Sequence, residues 1–391
     1  MRILWVATKA PVPPVDGGRL VALTTIRALA AAGHDVTVVA PVMSGMEAAT
    51  AAAAVAAELP GLELVPTRPA TWPLAIARGC VQGLPFTIAR HDSAALRARV
   101  DRLLAARAYD VVHAEQLQAL AACGSAIARG APVVLRAQNV ESELWSARHH
   151  ALLRAEAHRL ARYEGAAVQR AAATIALTRR DAERLATLAD GALVDHIAAP
   201  FPERLSPGAP LPGAPTVTLP ASQGWRPNDD AAAWFAREAW PAVAARIPGA
   251  RLHVFGTRKA FSGDHTITPH PSPVDSAVMF PADGIVVVPL LAPAGVRMRI
   301  LEAWARGLPV VATAAAVAGL DGEVTRAVAI ADGAPGLAET IAQLAVDSER
   351  RERLVAAGRA ILRTEHDPKV IAGRLGTVYR TVVESAARAR T

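Results

Sequence analysis

No regular element can run through PFPERLSPGAPLPGAP, residues Pro200–Pro215, where six prolines stand within sixteen positions. Proline fixes φ and lacks an N–H, so this density breaks a helix and is barred from a central strand. At 391 residues the chain also exceeds what one ordinary core supports. The stretch therefore reads as a linker over 200–215. It separates a domain over 1–199 from one over 216–370, and a final helix follows over 371–391. Both halves alternate short β-branched runs (RILWVA, DVTVVA, DVVH, PVVLRA; then TVTL, RLHVF, GIVVV, PVVAT) with helical stretches. That alternation predicts parallel α/β sheets.

The second half holds the most informative unit, Gly284–Thr313. Ile285–Val288 reads as a buried strand ended by Pro289, and a loop follows over Leu291–Gly295. A helix comes next, its apolar stripe formed by Ile300, Leu301, Trp304 and Ala305. Gly307 stands at the C-cap, Pro309 bars continuation, and Val310–Thr313 is the next strand. The loop and helix N-terminus of such a unit suit an anion. Arg297 and Arg299 there suit a diphosphate, and Glu302, one turn on, suits the two hydroxyls of a ribose. The plainer alternative makes Arg299, Glu302 and Arg306 surface ion pairs, each contributing about 0.2–0.5 kcal/mol.

A net charge of +7 admits nucleic acid, an anionic membrane or an anionic small substrate as partner. Aromatic residues are only 4%, and neither an RNA-binding signature nor a helix-turn-helix pattern occurs, which disfavours nucleic acid. Cys80 and Cys123 show no metal spacing and predict no disulfide framework, which fits a reducing cytoplasm. The apolar run Ile3–Ala7 is too short for a signal peptide, and no stretch is long enough to span a membrane. Apolar and Arg-rich segments adjoin over Trp72–Arg107, ending in a basic amphipathic helix over Ser93–Arg107. They predict weak, salt-sensitive attachment to anionic lipid, against the simpler reading of a core-facing helix with a solvated Arg face.

The segment Gly295–Val311, G-x-R-x-R-I-L-E-A-x-A-x-G-x-P-V-V, resembles the nucleotide-sugar signature of the family 4 (group 1) retaining glycosyltransferases. Trp225–Phe235 resembles the start of that family's C-terminal domain. The resemblance implies a GT-B fold: two Rossmann-like parallel-sheet domains facing across a cleft, the first on the acceptor side, with the last helix crossing back to it. It implies a nucleoside-diphosphate sugar as donor and a glycan or lipid-linked acceptor. Hexosyl transfer would proceed with retention, without a metal or other cofactor, on the cytoplasmic face of the membrane. The chain has no Asp-x-Asp motif.

Residue by residue, Gly295, Arg297, Arg299 and Glu302 would bind the donor, with Arg299 where relatives usually carry Lys and also meeting the departing diphosphate. Gly17, Gly18 and Arg19, in the loop KAPVPPVDGGR ahead of a helix over Leu20–Ala32, resemble the glycine-bearing loop that faces the diphosphate. Gln138 and Asn139 would act near the transferred sugar. Relatives often have His-Asn-Val-Glu where this chain has Gln138-Asn139-Val140-Glu141, so a catalytic imidazole does not carry over; His113 is the nearest substitute. Pro293-Ala294, Pro220-Ala221 and Ala318 are further departures. They keep open a catalytically silent GT-B subunit that binds a partner, and a GT-B sugar-nucleotide epimerase is a third reading.

Overall fold

The computed structural model describes the chain except residues 15, 43–52, 54, 56–58, 60, 147–150, 222–225, 257–263, 293–297, 321 and 390–391, and except the side chains of 151, 152 and 226. Gly295, Arg297, Pro293-Ala294 and Trp225 lie outside the described residues. The chain forms two compact units, Met1–Pro200 with Pro368–Thr391, and Phe201–Asp367.

The first unit is built on seven strands: β1 (Arg2–Ala7), β2 (Asp35–Val42), β3 (Leu62–Pro66), β4 (Val111–Glu115), β5 (Val133–Ala137), β6 (Ala173–Ala176) and β7 (Val194–His196). They pair in parallel in the order β3-β2-β1-β4-β5-β6-β7. Residues Ile3–Ala7 of β1 are all buried, which explains the unbroken apolar run: both faces of a parallel sheet are covered by helices. The second unit has β8 (Thr216–Leu219), β9 (Arg251–Phe255), β10 (Ile267–His270), β11 (Ile285–Val288), β12 (Val310–Ala312) and β13 (Ala329–Ile330). They are parallel, in the order β10-β9-β8-β11-β12-β13. Strand order reverses between β1 and β4 and between β8 and β11. In doubly wound sheets ligands bind at such points, beyond the carboxyl ends of the strands.

The last helix, Pro368–Arg388, packs on the helix Gly17–Ala31, with Ile371, Leu375 and Tyr379 fully buried in the first unit's core. The proline-rich stretch is no free tether. Leu205 N–H donates to Ala305 O (2.9 Å), Gly208 N–H to Phe280 O (2.8 Å), and Ala282 N–H to Gly208 O (3.0 Å), all within the second unit.

One local expectation needs correction. Gly17 and Gly18 are not loop but the first turn of the helix Gly17–Ala31, because the Asp16 side chain caps it by accepting from Arg19 N–H. The helix Arg179–Leu188 is capped by Thr178, whose hydroxyl accepts from Asp181 N–H at 3.0 Å. β13 is preceded by a short helix over Val324–Ala327.

Candidate active site

In the second unit the helix Met298–Ala305 follows β11 at the reversal of strand order. Ile300, Leu301, Trp304 and Ala305 are fully buried, as their spacing requires, and the Trp304 indole N–H donates to Ala327 O at 3.0 Å. Gly307 takes φ +77°, the left-handed turn that releases the chain into β12. The packed face leaves Glu302 on the flank, yet that residue is only 3% exposed. Arg299 Nη1 donates to its Oε2 at 2.9 Å, and Arg306 Nη2 to its Oε1 at 3.0 Å. Ser276 Oγ also donates to Oε1.

The expected i,i+3 and i,i+4 pairs thus exist, but they are not surface pairs. Arg306 is 9% exposed, its guanidinium lies 5.6 Å from the centre of the Phe280 ring, and its Nη1 donates to Ser206 O. The plainer alternative of surface ion pairs therefore fails at Arg306: a turn ending at Phe280 and the proline-rich stretch close over it.

In the first unit a buried polar network lies at the carboxyl ends of β4 and β5. Arg136 Nε donates to Glu115 Oε2 at 2.8 Å, and Arg136 Nη1 donates to Thr25 Oγ1 at 2.7 Å. Its guanidinium carbon stands 5.0 Å from the Trp5 ring centre. His113 Nε2 lies 3.2 Å from Glu115 Oε2, and its Nδ1 lies 2.8 Å from Tyr379 Oη. A carboxylate cannot donate, so Nε2 carries the proton and Nδ1 accepts from the phenol. Burial pushes the His113 pKa down to about 4, outweighing the pull of Glu115. Burial alone would raise Glu115, but Arg136 holds it below the usual carboxylate range. His113 is fully buried and stacked on Trp5 at 3.8 Å, so it is a neutral strut and no substitute catalytic imidazole.

Gln138 belongs to the same network. Its Nε2 donates to Glu115 Oε1 (2.7 Å) and Gly18 O (3.2 Å), while its Oε1 accepts from Gln116 Nε2 (2.9 Å). Both N–H donors and one lone pair of its carbonyl oxygen are engaged within the first unit, and the residue is buried. It does explain Gly18, where a Cβ would stand 2.5 Å from Gln138 Oε1. Arg19 turns back, its Nε donating to Ala10 O at 3.0 Å and its Nη1 lying 3.3 Å from Asp16, which also pairs with Lys9 at 2.9 Å. Asn139 follows at the same strand end, half-buried.

Two residues at this edge escaped the sequence reading. Gln116 sits just beyond β4 with φ 72° and ψ 155°, a conformation nearly confined to glycine and costing about 1–3 kcal/mol. Glu141, half-buried beyond β5, has its pKa raised to about 7 by burial and by the Glu164 carboxylate, against the pull of Gln118 and Lys9. The family pattern around Gln138 contained Glu141, but nothing local announced Glu164 beside it. Among the described residues no group of three or more His, Cys, Asp or Glu stands together as a metal site.

Two parallel, doubly wound sheets, each with polar side chains gathered where its strand order reverses, define a GT-B protein. The Glycosyltransferase Family 4 model matches residues 15–192, and the Glycosyl transferases group 1 model matches residues 215–347. The chain belongs to the family 4 (group 1) glycosyltransferases of the GT-B superfamily. It is similar to the sucrose-phosphate synthase tll1590 from Thermosynechococcus elongatus (TM-score 0.71, 15% identity, 98% of this chain and 99% of that one). It is also similar to Anabaena Alr3699/HepE in complex with UDP and glucose (TM-score 0.66, 15% identity, 97% and 100%). A third similar structure is a glycosyltransferase from Rickettsia africae ESF-5 (TM-score 0.62, 10% identity, 98% and 98%). No curated protein matches the sequence. Among the described residues no helix is long and apolar enough to cross a membrane.

Proposed function

We propose that this glycosyltransferase moves a hexosyl group from a nucleoside-diphosphate sugar to a glycan or lipid-linked acceptor, with retention and without a metal, in polysaccharide or glycolipid synthesis. The observation that carries the reading is Glu302: a carboxylate on the helix that follows β11 at the strand-order reversal, paired with Arg299 at 2.9 Å. Ribose hydroxyls would take hydrogen-bonding positions now held by protein donors. Arg299, with Arg297 and Gly295 ahead of it, would meet the negative charge that develops on the leaving diphosphate. The first-turn N–H groups of Gly17 and Gly18 are the corresponding groups of the first unit. Anabaena HepE, similar in fold, is a UDP and glucose complex in one structure and a UDP-glucose complex in another, which supports this donor class.

Calorimetry with uridine and guanosine diphosphates tests the reading. Glu302→Gln sets an amide donor against a hydroxyl and should weaken binding by about 1.5–3 kcal/mol. Arg299→Ala should cost a comparable amount, more in turnover than in binding. Unchanged affinity in both variants would remove the main support for the assignment.

A second observation favours a peripheral membrane setting on the cytoplasmic side. On the helix Trp72–Gln82, Trp72, Leu74, Ile76 and Val81 are exposed, and the Arg90 guanidinium lies 4.7 Å from the centre of the Trp72 ring. Apolar groups beside a cation suit an anionic lipid surface. Low-salt flotation with anionic liposomes should carry part of the protein upward, less so at high salt; protein remaining wholly in the soluble fraction would defeat this part.

A further inference from the structure

The carboxylate of Glu302 has two unequal sides. Its Oε1 accepts from Ser276 Oγ, from Arg306 Nε at 3.2 Å and from Arg306 Nη2 at 3.0 Å. Among the described residues its Oε2 accepts from Arg299 Nη1, at 2.9 Å. The donors on Oε1 are anchored in turn. Arg306 Nη2 donates to Ser276 Oγ at 3.2 Å, Arg306 Nη1 holds Ser206 O, and the fully buried Phe280 ring lies against the guanidinium.

Ser276 opens a single helical turn, Ser276–Met279, capped by Asp275, whose Oδ1 accepts from Ala277 N–H at 2.9 Å. The far end of that turn is tied to the proline-rich stretch through Gly208 N–H and Phe280 O, 2.8 Å apart. A Cβ on Gly208 would stand 2.3 Å from Ala277 O, so the two segments are in close contact. One oxygen of Glu302 is thus built into a wall. The other is faced by Arg299, whose side chain is 24% exposed against 8% for Arg306.

We infer that Ser276 and Arg306 are positioning residues that lock Glu302 Oε1, so that Oε2 alone reads one ribose hydroxyl of the donor. The inference rests on the donor assignment above and narrows it. A carboxylate free to turn about its terminal torsion would offer an oxygen to each of the two hydroxyls. A locked one distinguishes them, because the lone pairs of Oε1 are directed at Ser276 and Arg306. Arg299 is then the partner that yields to the nucleotide, which leaves its charge beside the diphosphate.

Calorimetry with UDP and GDP, each beside its 2′-deoxy and 3′-deoxy form, tests the inference on the full chain. In the native protein, loss of one of the two hydroxyls should weaken binding about tenfold, as expected for a hydrogen bond to a charged acceptor, and loss of the other less than about threefold. Ser276→Ala should shrink that inequality toward equal, smaller penalties, and Ser276→Thr, which keeps the hydroxyl, should restore it. Arg306→Met should act in the same direction. A purely structural role would lower stability and leave the ratio between deoxy forms untouched. Equal penalties for the two hydroxyls in the native protein, or an inequality that survives Ser276→Ala, would overturn the inference. If neither diphosphate binds at all, the donor assignment falls with it; if both bind and the ratio fails, only the positioning role is lost.

Discussion

Glu115 in the first unit and Glu302 in the second are equally buried, each 3% exposed, and each is held by arginine. Their partners differ in kind. Those of Glu115 come from β4, β5 and the residue after β5: His113, Arg136 and Gln138, the first tied in turn to Tyr379 on the last helix. His113 and Arg136 are themselves buried within the sheet, and Gln138 is buried at its edge. Two of the partners of Glu302 stand on its own helical surface, one turn before and one turn after it, and the third is a serine on a short turn. Arg306 is held in turn by Ser206, Ser276 and Phe280, but Arg299, whose side chain is 24% exposed, can rotate off Glu302 while the backbone stays still. A buried charge whose partners are all enclosed therefore acts as structure, and one with a partly exposed neighbour on its own helix can change that partner.

Arg136→Ala is the largest expected break in that contrast. It strands Glu115 in a dry site and should remove about 3–5 kcal/mol of stability in denaturant unfolding. Arg306→Ala, which leaves Glu302 with Arg299 and Ser276, should lose clearly less, about 1–3 kcal/mol. Equal losses would erase the distinction between the two carboxylates.

The acid response comes next. His113 has a folded pKa of about 4 against an ordinary 6.5, so its neutral form is favoured by folding. That contribution is fully present above about pH 6.5 and is lost as pH falls toward about 4, by about 3 kcal/mol. Glu115, held low, adds a loss of the same sign as pH drops below its ordinary value of 4.5. Unfolding midpoints followed from neutral to acid pH should show the first decline in the native protein and a flatter curve in His113→Asn. Arg326 supplies the smallest effect. It pairs with Glu323 on the surface of the second unit, both side chains at least two-thirds exposed, and Arg326→Ala should change stability and nucleotide affinity by less than about 0.5 kcal/mol.

Much of the fold was legible because parallel strands buried on both faces spell themselves as apolar runs, as Ile3–Ala7 and Ile285–Val288 do. The helix bearing Glu302 was legible for a similar reason: its stripe, its glycine exit and its charged flank all fall within a few turns. What stayed hidden depends on distant partners. The packing of Gln138 depends on Gly18, 120 positions earlier in the chain, whose carbonyl accepts from its amide. Arg306 looked solvated because Ser206, Ser276 and Phe280 cover it from segments whose pattern says nothing about helix packing. Glu141 looked ordinary because its pKa is raised by burial and then by Glu164, which lies on another helix.

The hydrogen bond from Tyr379 to His113 spans 266 positions, and it bears on how the protein is made. A nascent chain emerges from its amino end, so β1 to β7 are synthesised long before Ile371, Leu375 and Tyr379 exist. Until the last helix arrives, the groove beside the helix Gly17–Ala31 stays uncovered and the His113 imidazole lacks its phenol donor. The second unit, continuous over Phe201–Asp367, has all its strands synthesised first. The half of the molecule translated earlier is therefore the half completed last.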